Sequence, residues 1–277
     1  MASEKYLKKL HEEYDPRFEQ LLASVGEYTQ PSDLDVLKKA YEFSIKAHKN
    51  QQRYSGKPYF DHLFEVASIL ADLKMDSTTI AGGLLHDSVE DTGIPLVEIA
   101  ERFGDEIAVL VDGVTKIGEL KFESREKRQA ETFRKMLLSM ARDVRVIIIK
   151  FADRLHNMRT LEHVPAKKRE RIALETRDVY VPLAHRFGIA KIKWELEDLI
   201  LKHIDENAYE DIRRKVNQRR EERESFLTEI TTPILEELQK ANIKASVVGR
   251  AKHFYSMHGI LQKIKVLFLF KFLILKT

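Results

Sequence analysis

Apolar residues recur at helical spacing along most of this chain. One such stripe consists of Leu34, Leu37, Tyr41 and Ile45, and Ser32 or Asp33 is placed to cap the helix that it predicts. The same spacing predicts further helices over residues 60–73, 77–90, 95–103, 105–117, 126–141, 144–161, 165–185 and 189–203. The pattern therefore predicts an all-α fold, a bundle of helices joined by short loops.

The pattern of apolar and polar residues changes after about residue 204. Residues 205–240 are rich in Glu, Arg and Lys, which predicts a long exposed linker helix, interrupted near Pro233. Residues 243–248 alternate weakly and predict a strand, and the apolar residues 264–275 predict another. We therefore expect one domain over residues 1–200, followed by the linker helix and a short, truncated α/β fragment over 201–277.

Composition then limits the classes of function. The 277 residues carry 47 Lys and Arg against 44 Asp and Glu, a net charge of +3, with both signs interleaved along the chain. This balance argues against a protein that coats nucleic acid. The sequence contains no cysteine, which excludes thiolate nucleophiles and Cys-ligated zinc or iron–sulfur sites. Since no secretory signal and no apolar stretch of about 20 residues is visible, we expect a cytoplasmic protein without a membrane partner.

A group of titratable residues ends the apolar helix predicted over residues 77–90. His86 and Glu90 are four positions apart, as are Asp87 and Asp91, so on one helix the two pairs would face nearly the same side. Such charges beside apolar residues are costly unless a cation balances the carboxylates. A divalent metal ion would provide that balance.

Two residues elsewhere in the sequence complete a candidate set of metal ligands. His62 begins an apolar helix, and Asp153 ends the apolar run 146–152, where an unpaired carboxylate would be penalised. The order His, His-Asp, Asp resembles the ligand set of the HD metal-dependent phosphohydrolases. Two imidazoles and two carboxylates suit Mn²⁺, and Zn²⁺, Fe²⁺ and Mg²⁺ are also compatible with these ligand types.

Residues 40–200 resemble the N-terminal HD hydrolase domain of the RelA/SpoT family, the bifunctional synthetase/hydrolases of the alarmone (p)ppGpp. The motifs that carry the resemblance lie at residues 47–59, 80–87, 110–116, 152–160, 182–186 and 188–198. One departure is Lys57, which stands where the family usually has an acidic residue. The resemblance implies an HD-domain helical bundle.

The resemblance also implies roles for individual residues. The metal ligands would be His62, His86, Asp87 and Asp153, and the pair that positions and deprotonates the attacking water would be Glu90 and Asp91. The guanosine end of the substrate would contact Arg53 and Ser55, in a pocket also lined by Tyr59, Asn157 and Thr160. The implied reaction, with Mn²⁺ as cofactor, removes the 3′-pyrophosphate from ppGpp or pppGpp and gives GDP or GTP plus pyrophosphate.

The beginning of the family's second catalytic unit is also recognisable. Residues 249–256 resemble the synthetase motif in which Arg250 and Lys252 would hold the donor ATP. The resemblance stops after Ser256, and the acidic residues that would bind Mg²⁺ and activate the acceptor hydroxyl are not found. We therefore expect Arg250 and Lys252 to be vestigial and the chain to lack synthetase activity. The apolar tail that follows would allow self-association.

Simpler interpretations stay open for the same residues. His86 and Asp87 would also suit a buried hydrogen-bonded pair, and Arg53 a solvated loop charge. Asp153 would also suit an ion pair with Lys150 or Arg154. His48, His156 and His185 are expected to be structural hydrogen-bonding residues. The alternatives to a hydrolase are therefore a family member with an inactive synthetase half and a non-catalytic remnant.

Overall fold

The computed structural model describes residues 2–118, 143–218, 220–247 and 253–261. The chain divides into two compact units, Met1–Lys193 and Trp194–Thr277. Within the described ranges the regular structure is helical, apart from a single β-bridge between Gln52 and Pro58, and the predicted all-α class is confirmed. No helix among the described residues combines the length and the apolar character needed to cross a membrane.

The described residues of the first unit lie mostly in helices. The helices are α1 (Ala2–Gly26), α2 (Leu34–Ala47), α3 (Tyr59–Asp72), α4 (Ser77–Leu85), α5 (Ser88–Thr92), α6 (Leu96–Phe103), α7 (Asp105–Gly118), α8 (Arg145–Arg159), α9 (Ala166–Glu175) and α10 (Val181–Arg186). Short 3₁₀ turns at Pro31–Asp33 and Leu161–His163 precede α2 and follow α8. The helix α11 (Ala190–Ile204) continues into the second unit.

The helix predicted over residues 77–90 is in fact two helices. The chain turns at His86 and Asp87, between α4 and α5, and Gly93 ends α5 with a φ of 73°. In this turn Nδ1 of His86 hydrogen-bonds the carbonyl of Gly83 at 2.7 Å. The expectation that His86 and Glu90 share one helix with Asp87 and Asp91 is therefore wrong, because the turn separates His86 from α5. Asp87 caps α5 and its backbone carbonyl accepts from the backbone N–H of Asp91 at 2.9 Å, so these two residues do follow one another on the same helical turn.

The helix predicted over residues 165–185 is also interrupted. A π-helical turn at Thr176–Tyr180 separates α9 from α10. Pro182 lies at the beginning of α10 and has no backbone N–H, so it cannot continue the regular ladder of hydrogen bonds. The wider turn places the Tyr180 hydroxyl 2.9 Å from the guanidinium of Arg154.

The second unit contains α12 (Glu206–Gln218), α13 (Arg220–Lys240) and a helical segment over residues 254–261. The expected interruption near Pro233 is wrong, since α13 continues through this residue; a single proline removes one backbone donor without ending a helix. The strand predicted over 243–248 is also wrong: residues 243–247 have no regular structure, and no neighbouring strand is found among the described residues. The predicted helix 126–141 and strand 264–275 lie outside the described residues.

Helix α1 was not predicted, although its buried residues follow a helical spacing. They are Leu10, Tyr14, Phe18, Leu21 and Val25, and the many charged residues between them obscure the stripe. Phe18 stacks on Tyr41 of α2 with ring centroids 4.1 Å apart, and Tyr14 meets Phe60 of α3 edge-on at 5.2 Å. These aromatic contacts fix α1 against the start of α3, where His62 lies.

Gly113 allows α7 and α8 to approach each other closely. A Cβ at this position would lie 2.7 Å from Cγ2 and 3.1 Å from Cγ1 of Val146. Because valine is restricted to one rotamer in a helix, its two methyl groups cannot both move away. We expect Gly113→Ala to lower the free energy of unfolding by about 1–3 kcal/mol in urea titrations. Gly259→Ala, where a Cβ meets no atom within 4 Å, is the matched control; equal stability of both variants would contradict the prediction.

Candidate functional site

Three of the predicted metal ligands meet at one point. His62 comes from the first turn of α3, and His86 and Asp87 come from the turn between α4 and α5. One candidate ligand atom from each of the three lies within 4.8 Å of the other two. Oδ2 of Asp87 is 3.0 Å from Nε2 of His86 and 3.7 Å from Nε2 of His62. Both imidazoles are buried, so these donors form a compact site that can hold a cation.

The fourth predicted ligand, Asp153 on α8, lies beside this group. Its Oδ1 is 3.3 Å from Nε2 of His62, and its Oδ2 is 3.1 Å from Nζ of the buried Lys150. Asp153 is not one of the three residues whose ligand atoms are all mutually close. It therefore faces the candidate metal ligands with one oxygen and forms an ion pair with Lys150 through the other.

Hydrogen bonds at Nδ1 orient both histidines of the site. The carbonyl of Gly83 can only accept, so Nδ1 of His86 donates to it and Nε2 is the ring nitrogen that faces the site. That Nε2 is buried and has no hydrogen-bond partner among the described residues. Nδ1 of His62 shares a hydrogen bond of 2.7 Å with Nδ1 of His156. A buried imidazole whose Nε2 faces a carboxylate fits a metal ligand, because metal-bound histidines are held through their other nitrogen in this way.

The charges around the site favour ionised carboxylates. Burial opposes ionisation of Asp87, but the neighbouring His86 and His62 outweigh it and hold the pKa of Asp87 well below its usual value. Burial likewise opposes ionisation of Asp153, and Lys150 and His62 outweigh it, so the pKa of this carboxyl is also lowered. Burial lowers the pKa of His62. Burial also opposes protonation of His86, but the Asp87 carboxylate outweighs it and raises the pKa of His86. The two carboxylates and His62 thus favour the protonation states that bind metal, and an ion at Nε2 of His86 would compete with a proton there.

The predicted acidic pair lies at the edge of this group. The hydroxyl oxygen of Tyr59 is 2.7 Å from Oδ2 of Asp87 and 2.6 Å from Oδ2 of Asp91, so it joins a candidate ligand to one of the pair. Glu90 is exposed and forms no hydrogen bond or ion pair among the described residues. Partial burial and the charges of Asp87 and Asp91 raise the pKa of Glu90.

A cavity of about 310 Å³ opens beside the site, and four of the five predicted substrate-binding residues line it: Arg53, Ser55, Asn157 and Thr160. Tyr59, the fifth, is not among the lining residues; its hydroxyl faces Asp87 and Asp91 instead. The hydroxyl of Thr160 donates to the carbonyl of His156 at 3.1 Å.

A chain of polar contacts connects this cavity to the candidate metal ligands. Nη2 of Arg53 donates to Oδ1 of Asn157 at 2.5 Å, and Nδ2 of Asn157 donates to Oδ1 of Asp153 at 2.5 Å. The guanidinium carbon of Arg53 also lies 5.7 Å from the centre of the Tyr59 ring. Its Nη1 is buried without an acceptor among the described residues. Arg53 is therefore held within the fold and keeps one donor free at the cavity.

Several residues of the site had no predicted role. Arg154 lines the cavity and is held by Oε1 of Glu175 at 2.8 Å and by the Tyr180 hydroxyl. Lys168 also lines the cavity, with Nζ 5.1 Å from the centre of the Tyr54 ring. Lys150 and Arg154 are positive charges within an otherwise apolar run of the sequence, and this is the signal that could have identified them as site residues. Arg250 and Lys252 lie outside the described residues.

The remaining predicted histidines differ in their surroundings. His48 and His156 are buried and hydrogen-bonded, as expected for structural residues. The His185 side chain is exposed and its ring has no hydrogen-bond partner among the described residues, so the expectation that this ring is a structural hydrogen-bonding group is wrong.

Comparisons with known proteins agree with this geometry. Residues 40–190 match the HD domain family. The chain is 47% identical over 245 residues to the "GTP pyrophosphokinase" of Myxococcus xanthus, an alignment that covers 87% of this chain and 32% of the relative. It is 44% identical over 241 residues to the "Bifunctional (p)ppGpp synthase/hydrolase SpoT" of Escherichia coli K12, covering 87% and 34%. The chain spans about a third of the length of these curated relatives.

A solved structure is also similar, with a TM-score of 0.51 and 24% identity. It is described as "A metazoan ortholog of SpoT hydrolyzes ppGpp and plays a role in starvation responses", and the match covers 64% of this chain and 98% of that one. At this level of identity the likeness shows a shared fold. The resemblance to RelA/SpoT proteins is confirmed by the sequence relatives. Because the matched residues make up more than half of the chain, the protein belongs to the HD domain family.

Proposed function

We propose that this chain is a Mn²⁺-dependent hydrolase that removes the 3′-pyrophosphate from ppGpp or pppGpp. The observation that carries the proposal is the convergence of His62, His86 and Asp87 on one point, directly beside a cavity lined by cationic and polar side chains. Asp153 completes the ligand set. The relatives named as (p)ppGpp hydrolases supply the substrate class.

The residues of the site divide into two functional groups. His62, His86, Asp87 and Asp153 would hold the ion, which supplies Lewis-acid activation of water and balances charge on the phosphoryl oxygens. Asp91 and Glu90 carry the carboxylates that accept the proton of the attacking water. The water oxygen bonds to the phosphorus next to the ribose 3′ oxygen, the bond between that phosphorus and the 3′ oxygen breaks, pyrophosphate leaves, and the 3′ oxygen takes up a proton.

The cavity provides the means of binding a nucleotide. A volume of about 310 Å³ is at the lower end of the range typical of small-molecule sites. Arg53, Arg154 and Lys168 offer positive charge to phosphates and flat guanidinium groups to a base, while Ser55, Asn157 and Thr160 offer hydrogen bonds. A substrate of this kind also fits a cytoplasmic location. Self-association through residues 264–275 stays a prediction, because these residues lie outside the described ranges.

The direct test is release of pyrophosphate from ppGpp by the purified chain with added Mn²⁺, with the nucleotide product identified by chromatography. The proposal predicts GDP and pyrophosphate in equal amounts. A folded chain that binds Mn²⁺ and releases no pyrophosphate would support the non-catalytic alternative. A second incubation with GTP and ATP tests the expected absence of synthetase activity, which formation of (p)ppGpp would contradict.

Arg53 gives a prediction specific to substrate binding. We expect Arg53→Ala to raise KM for ppGpp about 10- to 100-fold, because hydrogen bonds made by a charged group contribute about 1.5–3 kcal/mol, and to affect kcat less. Steady-state kinetics measure both constants. Arg102→Ala is the matched control, since Arg102 also pairs with an acceptor, Glu98, and lies over an aromatic ring, Phe43, away from the cavity. An unchanged KM in the Arg53 variant would contradict the placement of substrate in this cavity.

A further inference from the structure

A buried imidazole outside the ligand set lies directly behind the site. His48, at the end of α2, is 1% exposed, and its ring stacks on Tyr59 with centroids 5.1 Å apart and planes 10° apart. Its Nδ1 is 2.6 Å from Oε1 of Gln51. Its Nε2 has no hydrogen-bond partner among the described residues. The contacts of His48 are therefore directed at two neighbours, the Tyr59 ring and the Gln51 amide.

Gln51 connects His48 to Asp91, one residue of the predicted acidic pair. Its Nε2 donates to the backbone carbonyl of Asp91 at 2.6 Å. Because that carbonyl can only accept, the amide is oriented with Oε1 towards His48, and Nδ1 of His48 must be the donor. The carbonyl of Gln51 also accepts from the backbone N–H of Tyr59 at 2.9 Å. Gln51 thus ties the loop before α3 to the end of α5.

The Tyr59 hydroxyl contacts both carboxylates directly. It reaches Oδ2 of Asp87 and Oδ2 of Asp91, two carboxylates that repel each other when both are ionised. A carboxylate oxygen only accepts, so the phenolic hydroxyl of Tyr59 is the donor in these contacts. Asp91 is consequently held twice, at its backbone by Gln51 and at its side chain by Tyr59.

We propose that His48, Gln51 and Tyr59 form a positioning unit that holds Asp91 beside Asp87 and thereby sets both metal affinity and the placement of the proton acceptor. The proposal deepens the function proposed above and rests on it for the roles of Asp87 and Asp91. In this unit His48 acts through Tyr59 and Gln51, and Tyr59 acts on the two carboxylates. Tyr59 is thereby assigned to the catalytic carboxylates rather than to the nucleotide pocket.

The first experiment measures Mn²⁺ affinity of the metal-free chain by titration calorimetry, in the absence of any nucleotide. We expect Tyr59→Phe to weaken Mn²⁺ binding about 10-fold, as is typical when a hydrogen bond to a metal ligand is removed. The same variant should lower kcat for ppGpp at least about 10-fold, with KM changed less than about twofold, because Tyr59 does not line the cavity. Tyr41→Phe is the matched control, since its hydroxyl also donates to a carboxylate, Asp15, but away from the site.

The second experiment tests whether His48 acts through Tyr59. His48→Phe keeps a ring stacked on Tyr59 and removes only the bond to Gln51, whereas His48→Ala removes both contacts. We expect a graded loss of kcat, with His48→Ala the larger. The extra loss in His48→Ala over His48→Phe reports the ring contact with Tyr59, so in a Tyr59→Phe background it should shrink to less than about twofold, because residues that act through one another are not additive. A purely structural His48 would give equal kcat values in correctly folded His48→Phe and His48→Ala variants.

The outcomes separate this proposal from the proposed function. If the unsubstituted chain binds Mn²⁺ but releases no pyrophosphate, the proposed function fails, and the calorimetric comparison of Tyr59→Phe with Tyr41→Phe still decides the positioning unit. Wild-type Mn²⁺ affinity in Tyr59→Phe, or an undiminished kcat difference between His48→Phe and His48→Ala in the Tyr59→Phe background, would overturn the proposal. A chain that binds no Mn²⁺ would overturn both.

Discussion

Asp87→Ala should abolish the stabilisation of this protein by Mn²⁺ and reduce pyrophosphate release on the order of 10³-fold or more. Oδ2 of Asp87 is the atom that both His86 and His62 face, so its removal takes away the central oxygen of the site. A ligand present at 1,000 times its Kd adds about 4 kcal/mol to the free energy of unfolding. For a domain of this size that corresponds to a rise in Tm of about 10 °C, which thermal denaturation with Mn²⁺ and with a chelator will measure.

The control for Asp87→Ala is Asp76→Ala, which removes another carboxylate nearby in the sequence. Asp76 caps α4, and its carboxylate accepts from the backbone N–H of Thr79 at 2.9 Å, so its loss should cost about 1 kcal/mol. The shift in Tm on adding Mn²⁺ should nevertheless persist in this variant. A full Mn²⁺-induced shift in Asp87→Ala would show that the ion binds elsewhere, and the ligand assignment would then be wrong.

Most of the helices could be predicted because apolar spacing reports directly on the buried face of a helix. Two of the predicted helices failed because a local hydrogen bond or a proline altered a regular pattern. The turn at His86 depends on the bond from its Nδ1 to the carbonyl of Gly83, and the π-helical turn before α10 depends on Pro182. Neither feature changes the apolar spacing, so the spacing alone predicts uninterrupted helices there.

The candidate ligands could be predicted because unpaired carboxylates and imidazoles are costly in apolar runs. Their partners could not be predicted, since these contacts join residues far apart in the sequence. Gln51 meets Asp91 across 40 positions, and Arg53 meets Asn157 across 104. For Asp153, both the candidate metal contact and the ion pair with Lys150 are present at once, on opposite oxygens. Residue types alone therefore could not decide between these two interpretations.

Lys150→Met is expected to destabilise the fold strongly, because it leaves the buried Asp153 carboxylate without its cation. Nζ of Lys150 lies 3.1 Å from Oδ2 of Asp153, and the lysine is 8% exposed. Breaking a buried ion pair in this way should cost about 3–5 kcal/mol of unfolding free energy in the presence of a chelator. Saturating Mn²⁺ would supply positive charge to the same carboxylate, so urea titrations should show a smaller cost with the ion bound.

The pH dependence of this loss has a defined sign. The pKa of Asp153 is lowered in the folded protein, where Lys150 outweighs the opposing effect of burial, so its ionised form stabilises the fold above the ordinary carboxyl pKa of about 3.9. That stabilisation is lost as the pH falls through the lowered value. The cost of Lys150→Met should therefore be largest near neutral pH and shrink below about pH 4, where the variant's carboxyl is protonated.

Lys46→Met is the control for Lys150→Met, because Lys46 also pairs with an acidic residue of its own helix, Glu42, at 2.9 Å. Both members of that pair are exposed, so the change should cost less than about 0.5 kcal/mol with or without Mn²⁺. If the cost of Lys150→Met were the same with chelator and with saturating Mn²⁺, the ion and the lysine could not be acting on one carboxylate. Asp153 would then belong to the ion pair alone, and the metal site would consist of His62, His86 and Asp87.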